Sequence, residues 1–343
     1  MLSFIEKTLA EQGFAACWRL EVAPLIARCG VSRRRRLISA SLITGIAAGI
    51  AIVVLALHTQ IDSAGFLDQP MNRTLVLALV GLVVICVWMA LLPAQPAFGD
   101  AVRRAVELHF ASLLTADDNT AFGEVVLQDL VADGVLPGRE YRLTAHYAGT
   151  YGDCRLRMIE AVAGAAGGHR HNRVELLVFR VSLPTAASGE VYADSRADRL
   201  ESRMKADPAL RPWHVKNDQF EGIFSIVTSD IDTAERLFTD GLVETTLRVQ
   251  EHLANPLAKR RGGAPRIAMQ AAQGSLVMVI EMPVSGRHPA SLSPTAASAS
   301  ARELILRFAT LPALVDDLHG RVDTPPAFAP LSITDDPQQT VTI

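Results

Sequence analysis

His169 and His171 flank Arg170 in a Gly-rich stretch. In an extended chain, side chains two residues apart share a face, so this pair could ligate a metal. A working site needs a third ligand and groups that orient the rings, and nothing local supplies either. Asp230 and Asp232, close to Glu235, offer carboxylates of the kind used for acid–base work. They also fit a helix start, where acids cap free N–H groups and meet the positive end of the helix dipole. Gly164 to Gly168 superficially resembles a phosphate loop but lacks its lysine. No G-x-x-x-x-G-K-[ST], H-E-x-x-H or G-x-S-x-G occurs. Cys17, Cys29, Cys86 and Cys154 form no C-x-x-C pair, so neither a zinc site nor a disulfide framework is read. No catalytic, cofactor or metal residue is therefore assigned. An enzyme would have to gather residues from separate loops, such as Asp153, His169, His171 and Asp230.

The elements that would carry these residues begin with two apolar runs. Residues 37–57 and 75–92 contain no charged side chain. As helices they would span about 31 Å and about 27 Å, close to the thickness of a bilayer's hydrocarbon core. Trp88 sits near an interface, and Pro93 and Pro96 stop the second run. Lys7, Arg19, Arg28 and the block Arg33, Arg34, Arg35 and Arg36 precede the first run, whereas residues 58–74 carry only Arg73. That asymmetry predicts two transmembrane helices in the inner membrane, with both termini cytoplasmic and the short loop outside. Neither run offers an ionisable group for an ion path, so the pair reads as an anchor. Ser41, Gly45 and Gly49 make a small-residue stripe suited to close helix packing, within the chain or between chains. Residues 1–28 show helical spacing of Ile5, Leu9, Phe14, Trp18 and Leu25. They fit either the inner leaflet or a face of the soluble domain.

Residues 94–320 read as one α+β domain with a mostly antiparallel sheet and flanking helices. Helices are expected over 102–114, 120–131, 194–205, 232–253 and 297–318, the last broken at Pro312. Strands are expected over 141–148, 154–162, 174–183, 220–228, 267–271 and 276–282, with a short edge strand at 190–193. The basic turn at Lys259, Arg260 and Arg261 reads as a solvated loop. Residues 321–343, with Pro325, Pro326, Pro330 and Pro337, read as a disordered tail. A net charge of −3 argues against nucleic acid as a partner.

Three stretches carry a family resemblance: HYAGTYGDCRLRMIEA (146–161), VFR (178–180) and FEGIFSIVTSDIDTAERLFTDGLVETTL (220–247). They resemble the bacterial membrane proteins of domain of unknown function 3137, which share this order of two spans and a domain. Val181 stands where that family often has glycine. The resemblance implies no activity, substrate or catalytic residue. The sequence thus points to a membrane-anchored cytoplasmic binding or scaffolding module, its partners being the bilayer and a protein. The alternatives are a membrane-anchored enzyme, or an auxiliary subunit of a membrane complex held through Gly45 and Gly49.

Overall fold

The computed structural model describes residues 4–27, 41, 45, 97–163, 174–183, 187–254, 265–283 and 294–319. The two apolar runs, apart from Ser41 and Gly45, lie outside these residues, as do His169, His171, Arg33 to Arg36, Gly49 and the tail. Among the described residues, no helix is long and apolar enough to cross a membrane. Ser41 and Gly45 are helical and exposed, and a Cβ added at Gly45 would meet no atom within 4 Å.

The chain folds as α+β around a nine-stranded sheet in which every pairing is antiparallel. The strands are β1 (Leu114–Ala116), β2 (Tyr141–Tyr151), β3 (Cys154–Ala163), β4 (Val174–Ser182), β5 (Val191–Asp194), β6 (Arg211–Trp213), β7 (Ser225–Thr228), β8 (Arg266–Ala272) and β9 (Ser275–Pro283). Their spatial order is β1-β2-β3-β4-β9-β8-β5-β7-β6. The longer helices among the described residues are α1 (Ala97–His109), α2 (Thr120–Ala132), α3 (Ala197–Ala206), α4 (Ile231–Leu237), α5 (Asp240–Arg248) and α6 (Pro294–Leu318).

Alternation along the strands explains why both faces are covered. Leu177, Phe179 and Val181 of β4 join a core with α1, α5 and α6, while Leu176 and Val178 join a second core under α2 and α3. A strand buried on both sides needs a continuous apolar run, which is what VELLVFRVSL supplies. The β8–β9 hairpin turns on Gln273 and Gly274, with φ of 50° and 74°. Two consecutive positive φ values match the twist of the flanking strands.

Residues 4–27 form a strap across α1 and α6. Phe14 is 0% and Trp18 2% exposed, and Val22 and Ile26 are buried beside them. The strap's polar groups are also committed to the domain. His109 meets the Ala10 carbonyl at 3.0 Å, and Arg302 donates to Glu11 at 3.2 Å and to the Ile5 carbonyl at 2.7 Å. Of the two places open to this segment, the face of the domain is the one observed.

Several expected elements differ. The first helix begins at Ala97 and stops at His109, leaving room for β1. The 190–193 strand is internal, flanked by β8 and β7, because β6 and β7 add on outside it. FEGIFSIVT is not one strand: a helical turn, Asp218–Glu221, precedes β7. The 232–253 helix is split between α4 and α5, where Thr239 caps the new start with its hydroxyl. Pro312 lies inside α6 without ending it.

Candidate functional site

A groove of about 720 Å³ runs along the outer edge of β2. β1 pairs with β2 for three residues only, from Leu114 opposite Gly149 to Ala116 opposite Tyr147. Gly149 permits this approach, since a Cβ there would lie 1.9 Å from the Leu113 carbonyl oxygen. The last rung is Asp117 N–H donating to the His146 carbonyl at 2.9 Å. The chain then turns away, because Asn119 Oδ1 accepts from Phe122 N–H at 3.3 Å and caps α2. Beyond that point residues 141–145 pair with β3 on their inner side only, among the described residues. A register shift between Leu143 and Ala145 marks a bulge at Thr144. The groove is this vacant lane, with α1 and α2 rising beside it.

The lining is acidic. Glu107, Asp117, Asp118, Glu124 and Glu140 face two guanidiniums, Arg103 and Arg142. Arg103 is engaged on its far side. It donates to Glu160 at 2.6 Å and to the Tyr147 hydroxyl at 2.6 Å, and that hydroxyl donates to Glu107 at 2.8 Å. Strand alternation puts Glu160 and Glu175 on the same face, where Arg307 of α6 bonds both, at 3.1 Å and 2.9 Å. Burial opposes the charge on Arg307, but Glu175, Glu160 and Glu303 outweigh it and hold the guanidinium above the ordinary arginine range. One wall of the groove is thus braced by a buried ionic network. A matching pin on the opposite face joins Arg266 to Asp194, Glu281 and the Val135 carbonyl.

His146 borders the groove and is 3% exposed. Its ring stacks on Phe122 at 5.9 Å, and Arg157 lies over the Phe122 ring at 3.6 Å. Neither ring nitrogen makes a hydrogen bond; the Asp117 carboxylate stands 3.6 Å from Nδ1. Burial holds this imidazole below the usual histidine range, against the pull of Asp117. A neutral, covered ring cannot exchange protons with a ligand in the groove as the groove stands. The groove also presents the Thr120, Thr144, Tyr141 and Tyr147 side chains beside its carboxylates, groups that can hydrogen-bond a polar ligand.

Of the residues singled out in the sequence, Asp153 and Asp230 are described and do not converge here, while His169 and His171 lie outside the described residues. Asp153 is exposed on the β2–β3 turn. Asp230 caps α4: its Oδ1 accepts from Asp232 N–H at 3.2 Å, and Ser188 and Thr233 donate to Oδ2. Those bonds, Ser188's first, hold its carboxyl below the usual range. Of the two aspartates that fit a helix start, Asp230 is the cap. Five strand spacings separate β3 from β7, roughly 24 Å, so Asp153 and Asp230 cannot share a pocket. No family model, characterised protein or solved structure matches this chain.

Sequence reasoning missed the groove and its bracing. One signal was present: lone charges inside apolar stretches, Glu160 in MIEAV and Arg307 in LILRFA. A buried charge needs a partner, so each implied the other kind. Cys154 Sγ lies 2.8 Å from His319 Nε2, a contact joining residues 165 positions apart. Cys17 and Cys154 are both free thiols.

Proposed function

We propose that this protein is a membrane-anchored binding or scaffolding module of the bacterial inner membrane, related to the domain of unknown function 3137 family. In this reading residues 37–57 and 75–92 cross the bilayer, and the α+β domain lies in the cytoplasm. The absence of charge in both runs and the arginine block at 33–36 support it.

The observation that carries the reading is the packing of the strap on α1. These two segments flank residues 28–96, yet Trp18 and Val22 are buried in the same core as Val102 and Val106. A single crossing between them would put a bilayer through that core. Two crossings return the chain to the side it left, so an uncharged hairpin is the membrane arrangement compatible with the contact. The acidic lining of the groove beside an open strand edge supports the binding part of the reading.

The test is a pair of reporter fusions in the full-length protein. Alkaline phosphatase inserted after Ser63 is expected to be active, and green fluorescent protein after Ile343 to fluoresce. Alkaline carbonate is expected to leave the protein in the membrane pellet. Release by carbonate, or an inactive phosphatase at Ser63, would overturn the reading.

A further inference from the structure

The sheet is closed unevenly at its two edges. β6 ends one side as a three-residue strand containing Pro212, whose ring nitrogen has no proton to offer a neighbour. The β2 edge is treated differently. β1 fills its outer lane beside residues 147–149 and then leaves, while residues 141–145 continue with their outer backbone groups unclaimed among the described residues. An unpaired strand edge is a template for another strand, and side-chain pockets beside it select the guest.

Charge selects the guest here. Glu140 and Asp118 are exposed, as is Glu124 on the first turns of α2, and all three border the lane. Arg103, one of the two opposing cations, is already bound to Glu160. His146 adds a covered ring with two unbonded nitrogens at the lane's closed end, where β1 departs. The bulge at Thr144 disturbs the ladder, which limits the lane to a short guest and discourages sheet-to-sheet polymerisation.

We propose that the lane beside residues 141–145 of β2 receives a short, extended, cationic segment of a partner protein as an added strand. The guest continues the line of β1, bonding the β2 backbone while its basic side chains meet Asp118, Glu124 and Glu140. This rests on the binding-module reading and names its partner's chemistry, but it does not depend on the number of membrane crossings.

Fluorescence anisotropy on the full-length protein in non-ionic detergent tests it. The probe is a labelled eight-residue peptide alternating Val with Lys and Arg. Saturable binding is expected at low salt, weakening as salt is raised. The D118N/E124Q/E140Q variant, altered only at exposed positions, is expected to keep the parent's unfolding temperature and to bind about tenfold more weakly, the order expected when several near-surface charges are removed. A peptide N-methylated at every residue keeps its charge but has no N–H left for either strand edge, and it is expected to lose binding. Equal affinity of the methylated peptide would reduce the groove to an ion-exchange surface and overturn strand addition. Unchanged affinity of the triple variant, or displacement by spermine at the peptide's own concentration, would likewise overturn it. The fusion and carbonate results stand apart from all of these outcomes.

Discussion

Arg307 is buried among Glu160, Glu175 and Glu303, and its worth depends on what is left if it is removed. Truncation removes a cation from the buried Glu160, which keeps Arg103, and from the partly buried Glu175 and Glu303. R307A is therefore expected to cost about 3–5 kcal/mol in urea unfolding, and pairing it with E160Q is expected to recover part of that loss. A cost near zero would mean that water reaches the cluster. Asp317 poses the opposite problem. Its Oδ2 is buried without a hydrogen bond, and burial raises its carboxyl above the usual range, although Thr245 bonds to it and opposes the shift. A raised carboxyl favours the folded state while protonated, and that advantage is lost as pH climbs through the folded pKa. D317N is thus expected to stabilise the protein near neutral pH by about 1 kcal/mol and to make no difference in acid. Calorimetry at the two pH values reads the difference, and a uniform effect would remove the electrostatic explanation.

At the level of elements, the strap is the informative case. Its helical spacing was visible in the sequence, but spacing identifies a buried face without saying what buries it. Phe14 and Trp18 turn towards α1, whereas Ile5 and Leu20 are 68% and 69% exposed. W18A is expected to cost about 3–5 kcal/mol, the range for emptying a large aromatic site, and to open residues 4–27 to proteolysis. L20E is expected to change stability by less than about 0.5 kcal/mol, as a surface substitution should. The reverse ranking would mean that the strap belongs elsewhere. The same distinction explains the errors of boundary. Val102, Val106 and Phe110 gave a sound helical period, but Gly149 far along the chain makes room for β1, and no local pattern announces that.

For the whole molecule, the strap contact sets a parity. Whatever residues 28–96 do, they must bring Val102 and Val106 of α1 back into one core with Trp18 and Val22. A reporter fused ahead of Phe4 is therefore expected to share the compartment of one fused after Ile343. The sheet adds a second molecular feature, since its two faces are each pinned by one buried guanidinium, Arg307 on one and Arg266 on the other. With both faces covered by helices, an edge is where the sheet's backbone remains open to a partner, and β2 provides it.

The sequence by itself determined the α+β class, the β2–β3 and β8–β9 hairpins, the doubly apolar β4, and the uncharged runs that motivate a membrane anchor. These are local properties, since period, turn chemistry and hydropathy act over a few residues. The helix start at Asp230 was legible for the same reason, although the helix begins one residue before the expected 232. Tertiary structure alone decided that the strap lies on the domain, that β5 is internal, and that Glu160 meets both Arg103 and Arg307. It also decided that β1 stops short and leaves a lane. Each of these depends on which surfaces meet across long stretches of chain, and burial rewards such meetings without marking them in any short window of residues.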